Sequence, residues 1–374
     1  MNDGARGELP RDWEFLGIAL ERGADGECDS GVTGDPCIVW DPSRNAYRML
    51  YFAQRHVPGR ERNTVAHAVS ASHDRVGAGD WLKLGPIRYT NPELLPDRQT
   101  HKPWILMDPF RPNRAVAIDG RYLLFTVSYD RGHKMVLLAR SASLDGPWTL
   151  QPGAILRPGP TSGHDGLHVD TVTAYWFAER GRILLLYKGY PASPQADQPL
   201  SPWGSSLCAA EMEPGDTEAR KLGRLVPPVP VDGHWMGGWA SGLQLVPSAG
   251  GGWHGLMTGS PTPPAPVSEQ PRMREPAPSL GGWAHTQQPW PVGGWIVDPQ
   301  PIRRIDELPE AARRMGMGTN LWRHHLLVLP PSGADSGDGD DGARGSAGRM
   351  YLYHNAGAYG QERMFVWTSR GAPA

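Results

Sequence analysis

One strand pattern occurs twice in the sequence, about 70 residues apart, and this repetition constrains the fold more than any other feature. In the first copy a Tyr-rich strand at 47–53 is followed by a second strand and then by Trp81. In the second copy the strand 121–128 is followed in the same way by a second strand and by Trp148. Short strands that repeat at this spacing are typical of sheets arranged radially.

Three further groups of strands, beginning near 172, 241 and 320, continue the pattern. The sequence therefore predicts an all-β fold. We expect a five-bladed β-propeller with four-stranded antiparallel blades around a central channel, formed by residues 1–374 as a single domain. The first innermost strand is expected to begin near Asp35. A two-sheet sandwich would also explain the alternating strands, but it would not explain the repeated pattern.

Glycine and proline, with 47 and 38 residues, disfavour long helices, and only 306–315 is predicted to be helical. The Pro-rich segment 260–301 is predicted to be a loop that overhangs the mouth of the channel. Its tryptophans are expected to approach a ligand: Trp283, Trp290 and Trp295. The polar segment 332–348 is predicted to be a disordered loop.

Charge and hydropathy exclude several classes of function. The net charge is −2 and the pI about 6.7, so neither nucleic acid nor an anionic membrane is an expected partner. No stretch of 18 apolar residues exists, and the first 13 residues do not form a signal peptide of the usual kind, so the expected location is the cytoplasm. The three cysteines are too few and too scattered for a disulfide framework or a zinc site: Cys28, Cys37 and Cys208.

Three segments resemble the five-bladed glycoside hydrolase superfamily of arabinanases, β-xylosidases, invertases and levansucrases. Gly34-Asp35-Pro36 is similar to the Asp-Pro segment that begins the first blade in that family. The segment 110–125 is similar to its second-blade strand, and 351–363 is similar to the ending of its last blade. Together these pieces cover most of 35–369. The resemblance implies a carbohydrate-active enzyme whose site lies at the channel mouth.

The resemblance also implies a set of catalytic carboxylates. Asp35 would be the base or nucleophile of blade one, and Asp170 the general acid of blade three, where the family usually has Glu. Asp165 is the alternative to Asp170. Glycoside cleavage needs one carboxyl group to protonate the leaving oxygen and a second, ionised one to activate water or attack the sugar. Like charges that lie close together raise one of the two pKa values and so assign the acid.

Blade two departs from the family pattern. Its innermost strand is expected at 114–118, which puts Pro112 where the resemblance implies a third, pKa-tuning carboxylate. Asp108 is the candidate to replace it through a shifted register. Two hypotheses follow. The chain is a glycosidase-type enzyme that cleaves or transfers a glycosyl unit, or it is a repurposed propeller that binds a sugar or acts by different chemistry on a sugar-like metabolite.

Further residues are predicted to bind a small sugar or sugar-containing substrate. His101 and Arg111 belong to a basic cluster suited to a phosphate or carboxylate, and His168 lies beside Asp170 in the sequence. Four more lie at or near blade starts, where they would face the axis: His234, Trp239, Asn320 and His354. No metal ligands and no cofactor are predicted from motifs, and the resemblance leaves open a metal ion or a water on the axis.

Overall fold

The protein is described by a computed structural model that covers residues 9–10, 12–56, 62–263, 279–318, 320–330, 349–358 and 360–369. Within these ranges the strands form five antiparallel sheets. The innermost strands of the sheets contact one another in a closed ring, because each touches the one before it and the one after it. This arrangement is a five-bladed β-propeller, as the repeats predict.

The strands of the first two blades follow one another along the chain. Blade one is formed by β2 (Val32–Asp41), β3 (Ala46–Arg55), β4 (Arg62–Ser70) and β5 (Trp81–Pro86). Blade two is formed by β6 (His101–Ile105), β8 (Arg121–Asp130), β9 (His133–Ser141) and β10 (Thr149–Leu150), with the short β7 (Ala117–Ile118) paired to the start of β8.

The other blades have the same order. Blade three is formed by β11 (His168–Phe177), β12 (Arg182–Tyr190), β13 (Ser206–Met212) and β14 (Arg220–Val226). Blade four is formed by β15 (Trp239–Pro247), β16 (Trp253–Ser260), β17 (Leu280–Thr286) and β18 (Ile296–Pro301). Blade five contains β19 (Leu321–Val328), β20 (Met350–Ala356) and β21 (Arg363–Ser369).

The fourth strand of blade five comes from the other end of the chain. Strand β1 (Trp13–Leu20) pairs antiparallel with β21, with Trp13 opposite Ser369. The sequence analysis assigned no strand before Asp35 and so missed this closure. The pairing ties the two ends of the sequence together, and the ring of blades depends on it because no covalent bond closes the circle.

The core lies between the blades. Every blade packs its faces against its neighbours, so the inner strands are buried almost throughout, and β11 is buried along most of its length even where it carries polar residues such as Asp170 and Thr173. Large side chains such as Trp104, Phe125 and Tyr175 fill the wedges between blades, and each of the three is at most 2% exposed. Removing their apolar surface from water, at about 25 cal/mol per Å², is the main force that holds the blades together.

Three local expectations differ from the structure. The innermost strand of blade two is β6, and not 114–118, which lies beyond a turn. The only α-helix among the described residues, α1 (Glu310–Arg314), is shorter than 306–315 and follows Pro309. The segment 260–301 contains β17 and β18, so its described part is mostly blade four and not a loop; 264–278 and 332–348 lie outside the described residues.

The three tryptophans of that segment do not reach the channel mouth predicted for them. Trp283 belongs to β17. The ring of Trp290 lies 4.7 Å from that of Phe177, the last residue of β11, and therefore at the opposite end of the propeller from Asp170. The indole N–H of Trp295 donates to the carbonyl of Pro291 in the turn between β17 and β18. The lid prediction is wrong for these residues.

Candidate active site

Each innermost strand is interrupted by a β-bulge at the same place, near its beginning. One residue in every bulge has a positive φ, between 23° and 56°. These five residues are Asp35, Lys102, Thr171, Gly242 and Arg323. A positive φ in a residue other than glycine costs on the order of 1–3 kcal/mol, and such strain clusters at functional sites. The bulges therefore mark the end of the channel at which the innermost strands begin as the candidate functional site.

Asp35 occupies the bulge of blade one and is 6% exposed. Its backbone N–H donates to the Asn355 side-chain oxygen at 3.2 Å. A Cβ at Gly34 would lie only 2.7 Å from the same Asn355 amide, so glycine is needed there. Burial raises the pKa of the Asp35 carboxyl group, against the opposing effect of Lys102 and Arg323. Asp35 therefore retains its proton to a higher pH than an ordinary aspartate.

Asp170, at the start of blade three, is in the opposite state. It is fully buried, and its Oδ2 binds the ammonium groups of Lys102 at 2.8 Å and Lys134 at 2.7 Å. Its Oδ1 accepts the backbone N–H of Thr171 at 2.7 Å. Burial acts to raise the pKa of Asp170, but the two lysines outweigh it and hold the pKa well below the usual range. Asp170 is therefore held in its ionised form, while the protonated form of Asp35 persists to a higher pH than in an ordinary aspartate.

A third lysine lies beside this pair. Lys188 stands directly opposite Asp170 in the β11–β12 ladder and is 7% exposed. Its ammonium nitrogen lies 4.1 Å from the ring centroid of Trp239 and 4.5 Å from that of Tyr190. Burial, together with the charges of Lys102 and Lys134, lowers the pKa of Lys188 well below its ordinary value. The aromatic faces favour the charged form, at about 2 kcal/mol when desolvated, and so oppose this effect.

Arg323, in the bulge of blade five, completes the group. One guanidinium nitrogen donates to the carbonyl of Val172 at 3.0 Å, while another is buried without a hydrogen-bond partner among the described residues. Burial lowers its pKa, and Asp35 opposes that effect. We call these side chains the axial cluster: Asp35, Lys102, Lys134, Asp170, Lys188 and Arg323. Four basic groups and two carboxyl groups make the cluster suited to an anionic ligand.

Several predicted residues lie at this cluster. His101 precedes Lys102, and its buried ring stacks on Tyr129 at 5.2 Å. Both of its ring nitrogens lack a hydrogen-bond partner in the part of the chain that is described. His168 accepts the backbone N–H of Lys134, and burial and Lys134 lower its pKa to about 4. Trp239 lies against Lys188, as described above.

Asp108 and Arg111 do not lie at this cluster. Asp108 follows β6 by three residues, about 20 Å along the strand direction from Lys102. Its carboxylate accepts the backbone N–H of Phe110 in a turn that also contains the exposed Arg111. The prediction that Asp108 replaces the missing carboxylate is not supported by this placement. The bulge position of blade two is occupied by Lys102.

Asn113 lies in the same turn as Asp108 and Arg111, and its hydrogen bonds hold this turn against the neighbouring blades. Its side chain donates to the carbonyls of Ile38 in blade one and Leu326 in blade five, and it accepts the N–H of Val328. Trp40, near the end of β2, donates to the Asn113 carbonyl. Asn113 therefore joins three blades at the end of the channel opposite the axial cluster. The segment that resembles the second-blade family motif is architectural in this chain.

Asp165 is part of a repeated structural contact. Its Oδ2 accepts the Tyr187 hydroxyl at 2.8 Å and binds Lys221 at 2.5 Å. In blade one Asp29 binds Tyr51 and Lys83 in the same way, at 2.9 and 2.7 Å. We call these two groups the rim triads. A cavity of about 620 Å³ lies over the triad of blade one, and no residue of the axial cluster lines it.

The remaining predicted residues lie within blades or their connections. His234 accepts the N–H of Met236 in its own loop. His354 lies inside blade five, where it accepts the indole N–H of Trp367 at 2.9 Å. Asn320 precedes β19 and is buried, and its side-chain oxygen has no hydrogen-bond partner among the described residues. None of the three contacts the axial cluster through an interaction seen in the described ranges.

Within the same ranges, no group of three or more His, Cys, Asp and Glu side chains is arranged to hold a metal ion. No helix of the described chain is both long and apolar enough to cross a membrane.

Comparison with solved structures gives the same fold. A glycoside hydrolase matches with a TM-score of 0.65 at 12% identity, covering 96% of this chain and 92% of that one. This match shows that the chain shares its five-bladed propeller fold with that glycoside hydrolase. An α-L-arabinofuranosidase from Podospora anserina in complex with cellotriose matches at 0.57 and 10% identity, over 98% and 99% of the chains. A thermostable family-43 glycoside hydrolase matches at 0.57 and 12%, over 93% and 91%. No family model and no curated protein matches the sequence.

The sequence analysis missed most of the basic groups. Lys134, Lys188 and Arg323 lie on three different strands, and nothing in their local sequence marks them as neighbours. One signal was present in the composition: only five of the 37 lysine and arginine residues are lysines. Three of these five meet at the axial cluster, which sequence position alone does not reveal.

Proposed function

We propose that the axial cluster binds a sugar that carries a carboxylate or phosphate group and cleaves or transfers its glycosyl unit. One observation carries the proposal. Two carboxyl groups with pKa values shifted in opposite directions lie among four basic side chains at the propeller axis. Separated pKa values assign an acid and an ionised partner. The excess of positive charge selects an anionic substrate.

The roles that this electrostatic arrangement supports differ from those the resemblance implies. Asp35 keeps its proton and acts as the general acid toward the glycosidic oxygen. Asp170 stays ionised, and its charge stabilises the positive sugar of the transition state or activates a water. Lys102 and Lys134, which retain 19% and 17% side-chain exposure, bind the anionic group of the substrate. The blade-one carboxylate is thus the acid in this proposal, and not the base.

An activity panel tests the proposal. Aryl glycosides of uronic acids and of phosphorylated sugars are compared with their neutral counterparts, with and without inorganic phosphate as acceptor. We expect turnover of acidic substrates only. Asp35→Asn should lower kcat by at least about 100-fold, the lower range for loss of a general acid. The matched control is Asp119→Asn, in an exposed hairpin turn at the other end of the propeller, where asparagine tolerates the positive φ of 51°.

A second candidate function rests on Lys102. A basic residue in the blade-two bulge, where Asp35 stands in blade one, favours a repurposed site that binds an anionic sugar or acts on it without glycoside cleavage. Titration calorimetry with the acidic sugars of the panel separates the two. Binding without cleavage of any glycoside between acid and neutral pH would support the second function and reject the first. Equal activity on neutral and acidic substrates would reject both.

A further inference from the structure

The five lysines of the chain differ in one respect. Four of them bind a carboxylate: Lys83 with Asp29, Lys221 with Asp165, and both Lys102 and Lys134 with Asp170. The fifth, Lys188, forms no ion pair and no hydrogen bond with any described residue. It is instead held between the rings of Tyr190 and Trp239.

The surroundings of Lys188 withhold water and a carboxylate partner, two of the usual stabilisers of an ammonium group, and leave only the two aromatic faces. It is 7% exposed, so little water reaches it, and the carboxylate opposite it in the ladder is already bound by two other lysines. A desolvated lysine next to other cations loses its proton more readily and becomes a nucleophile. The lowered pKa of Lys188, caused first by burial and then by Lys102, agrees with this geometry.

We propose that Lys188 is a carbonyl-reactive amine, which forms a Schiff base with an aldehyde or ketone that carries a carboxylate or phosphate group. Lys102, Lys134 and Arg323 provide the positive charge that holds the anionic end of such a molecule. The substrate class is therefore a 2-oxo acid or an anionic open-chain sugar. This activity goes beyond glycosyl transfer and does not require it.

Imine formation needs only a nucleophilic nitrogen and a proton donor, and Lys188 and Asp35 of the axial cluster supply them. The neutral Lys188 nitrogen attacks the carbonyl carbon, and the proton that the nitrogen loses passes to the carbonyl oxygen, giving a carbinolamine. Asp35, which carries a proton, donates it to the hydroxyl group, and this leaves as water while the nitrogen lone pair forms the C=N bond. The products are a protonated imine, one water and an ionised Asp35, and no oxidant or reductant takes part.

Reductive trapping tests the proposal. The full-length protein is incubated with glyoxylate and sodium cyanoborohydride, which converts an imine into a stable carboxymethyl-amine, and peptide mapping by mass spectrometry locates the modified lysines. We expect Lys188 to react at least about tenfold faster than Lys83 or Lys221, since every unit of lowered pKa gives tenfold more free amine. Acetaldehyde, which lacks the anionic group, should modify Lys188 more slowly than glyoxylate does.

Two variants complete the test. Lys188→Met should remove the fast adduct, and Lys221→Met, the control in a rim triad, should leave it unchanged. The proposal is overturned if labelling follows exposure, if Lys102 or Lys134 is labelled first, or if Lys188 stays unmodified. Peptide mapping of the wild-type protein distinguishes these outcomes even if a variant does not fold. Because trapping needs no glycoside, its failure leaves the glycosyl-transfer proposal standing, and the reverse also holds.

Discussion

The rim triads and the axial cluster both join lysines to aspartates, but in different proportions. In each rim triad one aspartate binds one lysine and one tyrosine, and the arrangement recurs in blades one and three. Asp29 and Asp165 each lie six residues before the bulge residue of their blade. The triads therefore repeat between these two blades, and each holds the loop before the innermost strand of its own blade.

The axial cluster does not repeat. At the same ladder position, blade one has Gly34 opposite Phe52, whereas blade three has Asp170 opposite Lys188. Equivalent backbone positions thus carry an apolar pair in one blade and a charged pair in the other. Burying charges that the fold does not need is unfavourable. The recurring contacts are therefore structural, whereas the charged pair that does not recur is the one to which we assign the proposed ligand binding.

The largest expected effect on stability is that of Asp170→Asn. This change leaves Lys102 and Lys134 without their carboxylate, and breaking a buried ion pair costs about 3–5 kcal/mol. Urea denaturation should show a loss of this size, and adding Lys134→Met to the variant should restore part of it. A loss below about 1 kcal/mol would mean that the ion pairs of the axial cluster are not formed.

Removing the tyrosine hydroxyl from either rim triad should have a smaller effect. Tyr51→Phe and Tyr187→Phe each delete a buried hydrogen bond to a carboxylate, worth about 2 kcal/mol. Because the triads repeat, the two losses in unfolding free energy should be equal within error. Ligand binding should stay unchanged in both variants. Unequal losses of unfolding free energy, or a change in ligand affinity, would contradict the assignment of a purely structural role to the rim triads.

Lys188→Met should stabilise the protein near neutral pH, because it removes an ammonium group whose charged form the folded state disfavours, and every unit of lowered pKa corresponds to about 1.36 kcal/mol. The folded pKa of Lys188 lies below its ordinary value of 10.5, so between the two the unfolded chain binds the additional proton and wild-type stability rises with pH. The advantage of the variant should therefore fade as the pH approaches 10.5. Lys221→Met, which breaks a rim ion pair, should lower stability instead.

The smallest expected effect on stability is that of Asp35→Asn. The folded pKa of Asp35 is raised, so above its unfolded pKa the folded state disfavours the ionised carboxylate, and a neutral amide removes that cost. The unfolding free energy should therefore not fall, and it should change by no more than about 1 kcal/mol. Glycoside turnover by the unmodified protein should be lost as the pH rises through this raised pKa, since the acid must be protonated. Unfolding of the variant would make Asp35 structural and place the site elsewhere.

The sequence predicted the propeller because strand patterns are local and repeat in every blade. It located Asp35 and Asp170 by resemblance, and the structure brings both to the axis. It misplaced the innermost strand of blade two, since β6 is short and contains Pro103, while the turn from Asp108 to Asn113 separates it from the β7–β8 hairpin. It also missed the lysines, because a side chain far along the chain becomes a neighbour only when the blades close the ring.

The most direct measurement is the titration of the two axial carboxyl groups. Protein labelled with ¹³C at the aspartate carboxyl carbons is followed by NMR from neutral to acidic pH, and each resonance is assigned by its loss in Asp35→Asn or Asp170→Asn. We expect Asp35 to titrate above the ordinary 3.8 and Asp170 to stay ionised until the protein unfolds. Titration of both groups together near the ordinary value would contradict the division of roles between them.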